Sequence, residues 1–199
     1  MKKWLVPVIV IAVVVFGLYN WGKNFNNEAV ALKETASKSW GDVESSYQRR
    51  NDLIGNLVKT VQGAADFEKS TLEAVIKARS EATKTTIDPS NITPEQLAAF
   101  NQAQSGLSSA LSRLLVTIER YPDIKANQNF LELQSQLEGT ENRINVARDR
   151  FNEAVEPYNL HVKTFPNSLL AGVLNFDEMD YYQAEAGSEQ APDVEFDFD

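Results

Sequence analysis

The chain has 199 residues, a net charge of −9 and no cysteine. Disulfides, thiolate metal sites and a cysteine nucleophile are therefore excluded, although the compartment stays open. All 19 Lys and Arg precede Thr164, whereas residues 164–199 hold nine of the 28 acids, so the body is formally neutral and the excess negative charge lies in the tail. A neutral body lacks the basic footprint needed to neutralise phosphates, so no nucleic-acid partner is expected.

Residues 1–3 form a basic flank, and residues 4–22 read as a transmembrane anchor. Between Lys3 and Lys23 there is no charged side chain. Leu5, Ile9, Ile11, Val14, Phe16 and Leu18 lie within this run. Trp4, Tyr19 and Trp21 sit at its ends, where amphipathic rings favour the headgroup level. At ~1.5 Å per helical residue the run can span a hydrocarbon core of ~30 Å. A cleaved signal peptide is the rival reading, but its apolar region is shorter and ends in small residues, and Tyr19-Asn20-Trp21-Gly22-Lys23 offers no such site. The lipid bilayer is thus the first expected partner. Lys2 and Lys3 are balanced by Lys23, Lys33 and Lys38, so charge leaves the side of the soluble domain open.

Residues 23–182 read as an all-α, elongated antiparallel bundle of three long helices plus a short C-terminal helix. The first helix shows Trp40, Val43, Tyr47, Arg50, Ile54, Leu57, Val61 and Ala64, then shifts phase to Ala65, Leu72, Val75 and Ile76. Asp88-Pro89-Ser90-Asn91 marks a loop within Thr85 to Ile92. Thr93-Pro94-Glu95-Gln96 is a capping box with Pro at the first helical position. The second helix carries Leu97, Phe100, Gln104, Leu107, Leu111, Leu114, Ile118 and Tyr121, and ends before Pro122. The third runs Phe130, Leu133, Leu137, Thr140, Ile144, Ala147, Phe151, Ala154, Tyr158, His161 and Phe165. That is a period of 3.5, the seam of left-handed helix packing with crossings near ~20°. Pro157 is expected to kink this helix without ending it. Residues 166–182 read as a short apolar helix or cap, and residues 183–199 as an acidic disordered tail.

Several of these segments together resemble one family. Gln48-Arg49-Arg50-Asn51-Asp52-Leu53-Ile54-Gly55-Asn56-Leu57-Val58, Glu119-Arg120-Tyr121-Pro122-Asp123-Ile124-Lys125-Ala126-Asn127 and Leu137-Glu138-Gly139-Thr140-Glu141-Asn142-Arg143-Ile144 come in that order. Ala147-Arg148-Asp149-Arg150-Phe151-Asn152, Val155-Glu156-Pro157-Tyr158-Asn159 and Phe165-Pro166 follow. Their order and spacing are similar to the LemA family of bacterial membrane proteins, over about Ala29 to Tyr182. The resemblance implies an N-terminal anchor, a long-helix bundle and a bend at Gly55, where the family usually has Pro. It says little about activity, and it leaves the tail outside the match.

No catalytic, cofactor or metal site emerges. His161 is the only histidine and falls on the seam, which favours a core or interface role over a catalytic base. A bundle di-iron site needs two Glu-x-x-His motifs, and a phosphate loop or dinucleotide fingerprint is missing. Polar motif residues remain: Arg49, Arg50, Asp52, Asn56, Glu119, Glu141, Asn142, Arg148, Asn152 and Asn159. They read as ion pairs and amide hydrogen bonds that fix helix register, because a buried charge without a partner would cost several kcal/mol. Arg50 in particular stands in a seam position and needs a carboxylate. The alternative is a polar pocket or subunit contact.

The expected function is a non-enzymatic, single-pass protein of the bacterial cytoplasmic (inner) membrane that self-associates as a helical scaffold and organises or shapes the membrane. Wide apolar stripes at Leu53 and Ile54, Leu57 and Val58, and Leu114 and Leu115 are expected to leave faces for homo-oligomer contacts. The alternative is an adaptor or regulatory subunit of a membrane protease or signalling complex. Its acidic tail, ending Val194-Glu195-Phe196-Asp197-Phe198-Asp199, would then dock a membrane protein partner.

Overall fold

The computed structural model describes residues 4–63, 67–89 and 91–183. Six helices follow one another: α1 (Leu5–Gln62), α2 (Lys69–Lys84), α3 (Pro94–Ile118), α4 (Pro122–Lys125), α5 (Gln128–Lys163) and α6 (Asn167–Leu174). No strand occurs among the described residues, so the all-α class is as the periodicity requires. The disorder expected of the acidic tail falls on residues 184–199, outside the described residues.

Helix α1 carries both the apolar N-terminal segment and the first bundle helix without interruption over 58 residues. Pro7 lies in its first turn, where the missing N–H would have no helical acceptor in any case. Burial begins at Phe25 and recurs at Ala29, Ala36, Trp40, Val43 and Tyr47. The core thus starts well before Trp40, and Phe25, Ala29 and Ala36 extend the same stripe.

Among the described residues the three long helices α1, α3 and α5 are joined in the bundle by a shorter fourth, α2, of 16 residues. The first segment was expected to run on past Ala64, but α1 ends at Gln62 and α2 starts only at Lys69. The phase shift between Ala64 and Ala65 was the sign of this break: α2 turns back and lays Leu72 and Val75 in the core. Arg79 of α2 meets Asn51 and Asp52 of α1, which makes the pair antiparallel. Gly55 leaves room for the Arg79 side chain, since a Cβ there would lie 3.0 Å from its guanidinium carbon. Helix α3 returns beside α2, and α5 runs antiparallel to α1, joined from Phe25 with His161 to Arg49 with Gln136. The result is an up-down-up-down bundle.

The remaining boundaries follow local chemistry. Thr93 and Gln96 form the expected capping box, each side chain meeting the other's backbone N–H. Asn127 caps α5 by accepting from the N–H groups of Asn129 and Phe130. Helix α5 continues through Pro157, as expected, with Pro157 on the exposed face. Its buried stripe does not continue along the expected seam. After Phe151 it passes through Val155, Tyr158 and Val162, while Phe165 lies beyond the helix and is exposed. From Ile144 to Val162 this is about five turns at 3.6 residues each, the period of a straight helix. Asn175, left-handed at φ 55°, ends α6 and lets the Phe176 N–H reach the Ala171 carbonyl at 3.0 Å. Residues 175–183 then run back along α5 as a strap without helix.

The apolar side chains that the sequence suggested were spare are consumed by this packing. Leu53, Ile54, Leu57, Val58 and Leu114 are all buried, and Leu115 is partly buried against them. Helix α2 is what covers them, an element the three-helix reading did not separate.

Candidate functional site

The core is divided in two. One apolar cluster runs from Phe25 to Tyr47 with Phe100, Ile144 to Val162 and the strap. The other runs from Leu53 to Val61 with α2, Leu107 to Ile118 and Phe130 to Leu137. Arg50, only 3% exposed, lies between them. It donates to Glu141 at 2.8 Å, Gln104 at 2.6 Å and Ser108 at 3.3 Å, and its guanidinium carbon stands 4.8 Å from the centre of the Tyr47 ring. Gln104 is also buried and turns its amide nitrogen to the Ala82 carbonyl at 3.5 Å. One arginine thereby ties α1 to α3 and α5. The planar fork of donors fixes the geometry of this centre.

One layer nearer the N-terminal end of α1, Tyr47 and Tyr182 share a hydrogen bond at 2.9 Å. Arg148 donates to the Tyr47 hydroxyl through Nε at 3.1 Å and also through its other guanidinium nitrogen, and it lies over the Tyr182 ring at 4.4 Å. Burial pushes the Tyr182 hydroxyl well above the usual phenol range; Tyr47 adds to the shift and Arg148 opposes it. Burial works against the charge of Arg148, but its two tyrosine neighbours outweigh that and hold it above the ordinary value. Tyr182 is accordingly a neutral hydrogen-bonding group and no base.

The strap is held by side chains acting as backbone. Asn152 donates to the Tyr182 carbonyl at 3.0 Å and accepts from the Tyr182 N–H at 2.7 Å. Asn159, two turns further along α5, does the same for Met179, with both bonds at 2.8 Å. Tyr158 donates to the Asp177 carbonyl at 2.7 Å, and burial, with Asp177 nearby, raises its hydroxyl above the phenol range.

The other motif residues take lesser places. Arg49 donates to Gln136 at 3.1 Å, Asp52 lies 3.8 Å from Arg79, and Glu119 pairs with Lys125, all on the surface. Asn56 and Asn142 are exposed. The sequence did not single out Asn51, Tyr47, Gln104, Arg79 and Tyr182 as parts of polar centres. Gln104 in an otherwise apolar seam was the one available signal. His161 stacks on Phe25 with ring centres 4.9 Å apart, and its Nε2 lies 3.1 Å from the Phe25 carbonyl, so that nitrogen is the donor. No group of three or more potential metal ligands occurs among the described residues. A cavity of about 350 Å³ opens beside Asn51, Asp52, Arg79, Phe100 and Gln104, and its lining also carries the Glu44 carboxylate and the hydroxyls of Ser45, Thr83, Thr85 and Thr86.

A family model described as the LemA family matches residues 39–196. The match reaches 196 and so includes most of the acidic tail, which the residue resemblance had placed outside it. "Magnetosome protein MamQ 2" of Paramagnetospirillum magneticum is 28% identical over 174 residues, covering 79% of this chain and 64% of that protein. "Magnetosome protein MamQ" of Magnetospirillum gryphiswaldense is 27% identical, with 78% and 64% covered. "Protein LemA" of Metamycoplasma hominis is 23% identical over 142 residues, with 71% and 61% covered. The chain therefore spans a little under two thirds of the length of these relatives.

Proposed function

This chain belongs to the LemA family, and from that premise we propose that it is a non-enzymatic, single-pass protein of the bacterial cytoplasmic membrane whose bundle is a scaffold that self-associates there. The observation that carries the reading is α1. A segment apolar enough to cross a membrane, with no part of it buried in the fold, passes into the bundle core within one helix. An exposed apolar helix of this length needs lipid, and its continuity with buried Phe25 and Ala29 makes it a rigid stalk. A cut near residue 20, as for a signal peptide, would fall where α1 already packs against α6.

Self-association rests on a narrower basis than the sequence offered. What supports it is confinement in one membrane plane, together with Ile76, Val116, Leu131 and Val146, which stay exposed on the bundle. Mass photometry of the chain in detergent or nanodiscs tests it. Dimers or larger species at micromolar concentration are expected, and monomers alone would remove the oligomer from the reading. The adaptor reading draws on a different observation. The strap that precedes the acidic tail in sequence is pinned to α5 by four hydrogen bonds from the Asn152 and Asn159 side chains. Cross-linking in cells separates the two: cross-links between copies favour the scaffold, and one dominant foreign partner favours the adaptor.

A further inference from the structure

No charged residue lies between Lys163 and Asp177. This stretch holds α6, and it leaves large apolar side chains in the open: Phe165 is 81% exposed, Leu169 60% and Val173 76%, with Leu160 of α5 at 61%. Leu169 and Val173 are four residues apart and share one face of α6. Ala171, on another face, is buried against the bundle. Helix α6 is thus apolar on its outer side as well as its inner one, which water does not reward.

Its position says what does. The Trp21 indole N–H donates to the Asn167 side chain at 3.2 Å, so the first turn of α6 is level with the last aromatic residue of the apolar segment. Phe176, just after α6, meets the Phe25 ring edge-on at 5.7 Å. Helix α6 therefore lies beside α1 where that helix leaves the membrane. From Leu5 to Trp21 the segment rises ~25 Å, so a ~30 Å hydrocarbon core reaches about the level of Trp21 and the first turn of α6. The outer face of α6 continues the same apolar surface sideways. The charges that flank it, Lys23, Asp177 and the Lys163–Glu178 pair at 3.1 Å, are exposed and can face headgroups or water.

We propose that α6, with Phe165 before it, is a second membrane contact: it lies in the headgroup–acyl boundary of the bilayer that holds α1, with Leu169 and Val173 in the lipid. The inference rests on the anchor reading of α1 and adds a lateral foot to it. A short helix with one face in the interface resists rotation and tilt of the bundle in a way that a lone span does not.

The chain has no cysteine, so single Leu169→Cys, Val173→Cys, Val10→Cys and Val116→Cys variants can each carry a polarity-sensitive fluorophore. The full chain is reconstituted in phosphatidylethanolamine–phosphatidylglycerol nanodiscs, with and without nitroxide-labelled lipid. Probes at 169 and 173 should emit to the blue of the probe at 116 and be quenched by the nitroxide, as the probe at 10 is. If 169 and 173 behave like 116 while 10 is quenched, the lipid foot is wrong and the anchor stands. If 10 is also unquenched, the anchor falls and takes this inference with it. A blue shift at 169 and 173 that ignores nitroxide lipid and vanishes at one chain per disc would place a second copy on α6 and overturn the proposal.

Discussion

Arg50 is buried between two apolar clusters, and its neighbours determine what its removal costs. Arg50→Ala strands Gln104 and Ser108 and removes the partner of Glu141, with an expected loss of about 3 kcal/mol in urea unfolding. Glu141 is half exposed, so Glu141→Gln should cost only about 1 kcal/mol. The double variant should cost less than the two single losses added, and strict additivity would rule out the pair. Tyr182 gives a pH dependence of definite sign. Its folded pKa lies above the unfolded value of 10.0, so the neutral form is the one that folding favours. Its contribution is complete below pH 10 and is lost as pH rises above it. Melting temperature should therefore fall more steeply above pH 10 in the native chain than in Tyr182→Phe. A need for a partner at Arg50 was visible in the sequence, because a charge replaced an apolar residue at a seam position. Which partner was not visible: Glu141 is 91 residues away, and a contact of that range leaves no local spacing to read.

Helices α3 and α5 were readable because burial repeats along them and because caps and prolines mark their ends. Thr93 with Gln96 and Pro122 are instances. The α1–α2 break was harder to see, since only Gly63 interrupts good helix formers there and the reversal shows solely as a change of phase. The strap was unreadable as such, because its backbone is satisfied by side chains and a segment held that way needs no periodicity. Asn152 and Asn159 looked like register residues for helix pairs, yet they hold residues 179 and 182 instead. Each replaces two backbone bonds, so Asn159→Ala should cost about 2 kcal/mol and leave the Met179 N–H without its acceptor. Hydrogen exchange should then rise across residues 177–183 and stay unchanged in α3. Equal acceleration in α3 would mean that the strap is part of the global core and is not separately fastened.

Helix α1 makes the molecule a lever. From Lys23 to Gln62 it rises ~60 Å, so the α1–α2 turn stands far from the bilayer if the stalk is rigid. Rigidity has two sources in the fold: the unbroken hydrogen-bond ladder through Asn20–Phe25, and the bridge from Trp21 to Asn167, which ties α6 to the same point. A donor dye on Lys69→Cys, paired with acceptor-labelled lipid headgroups, reads the height of the far end. In the native sequence transfer should be weak, because the dye lies at or beyond the working range of such pairs. A four-residue Gly-Ser insertion after Lys23 breaks the ladder and displaces Trp21 from Asn167 while leaving the bundle core from Phe25 onward intact. Such a linker behaves as a flexible coil, so the bundle would sample orientations close to the surface. Transfer should then increase and its distribution broaden. If the insertion changes neither, the bundle does not use α1 to hold its distance from the membrane.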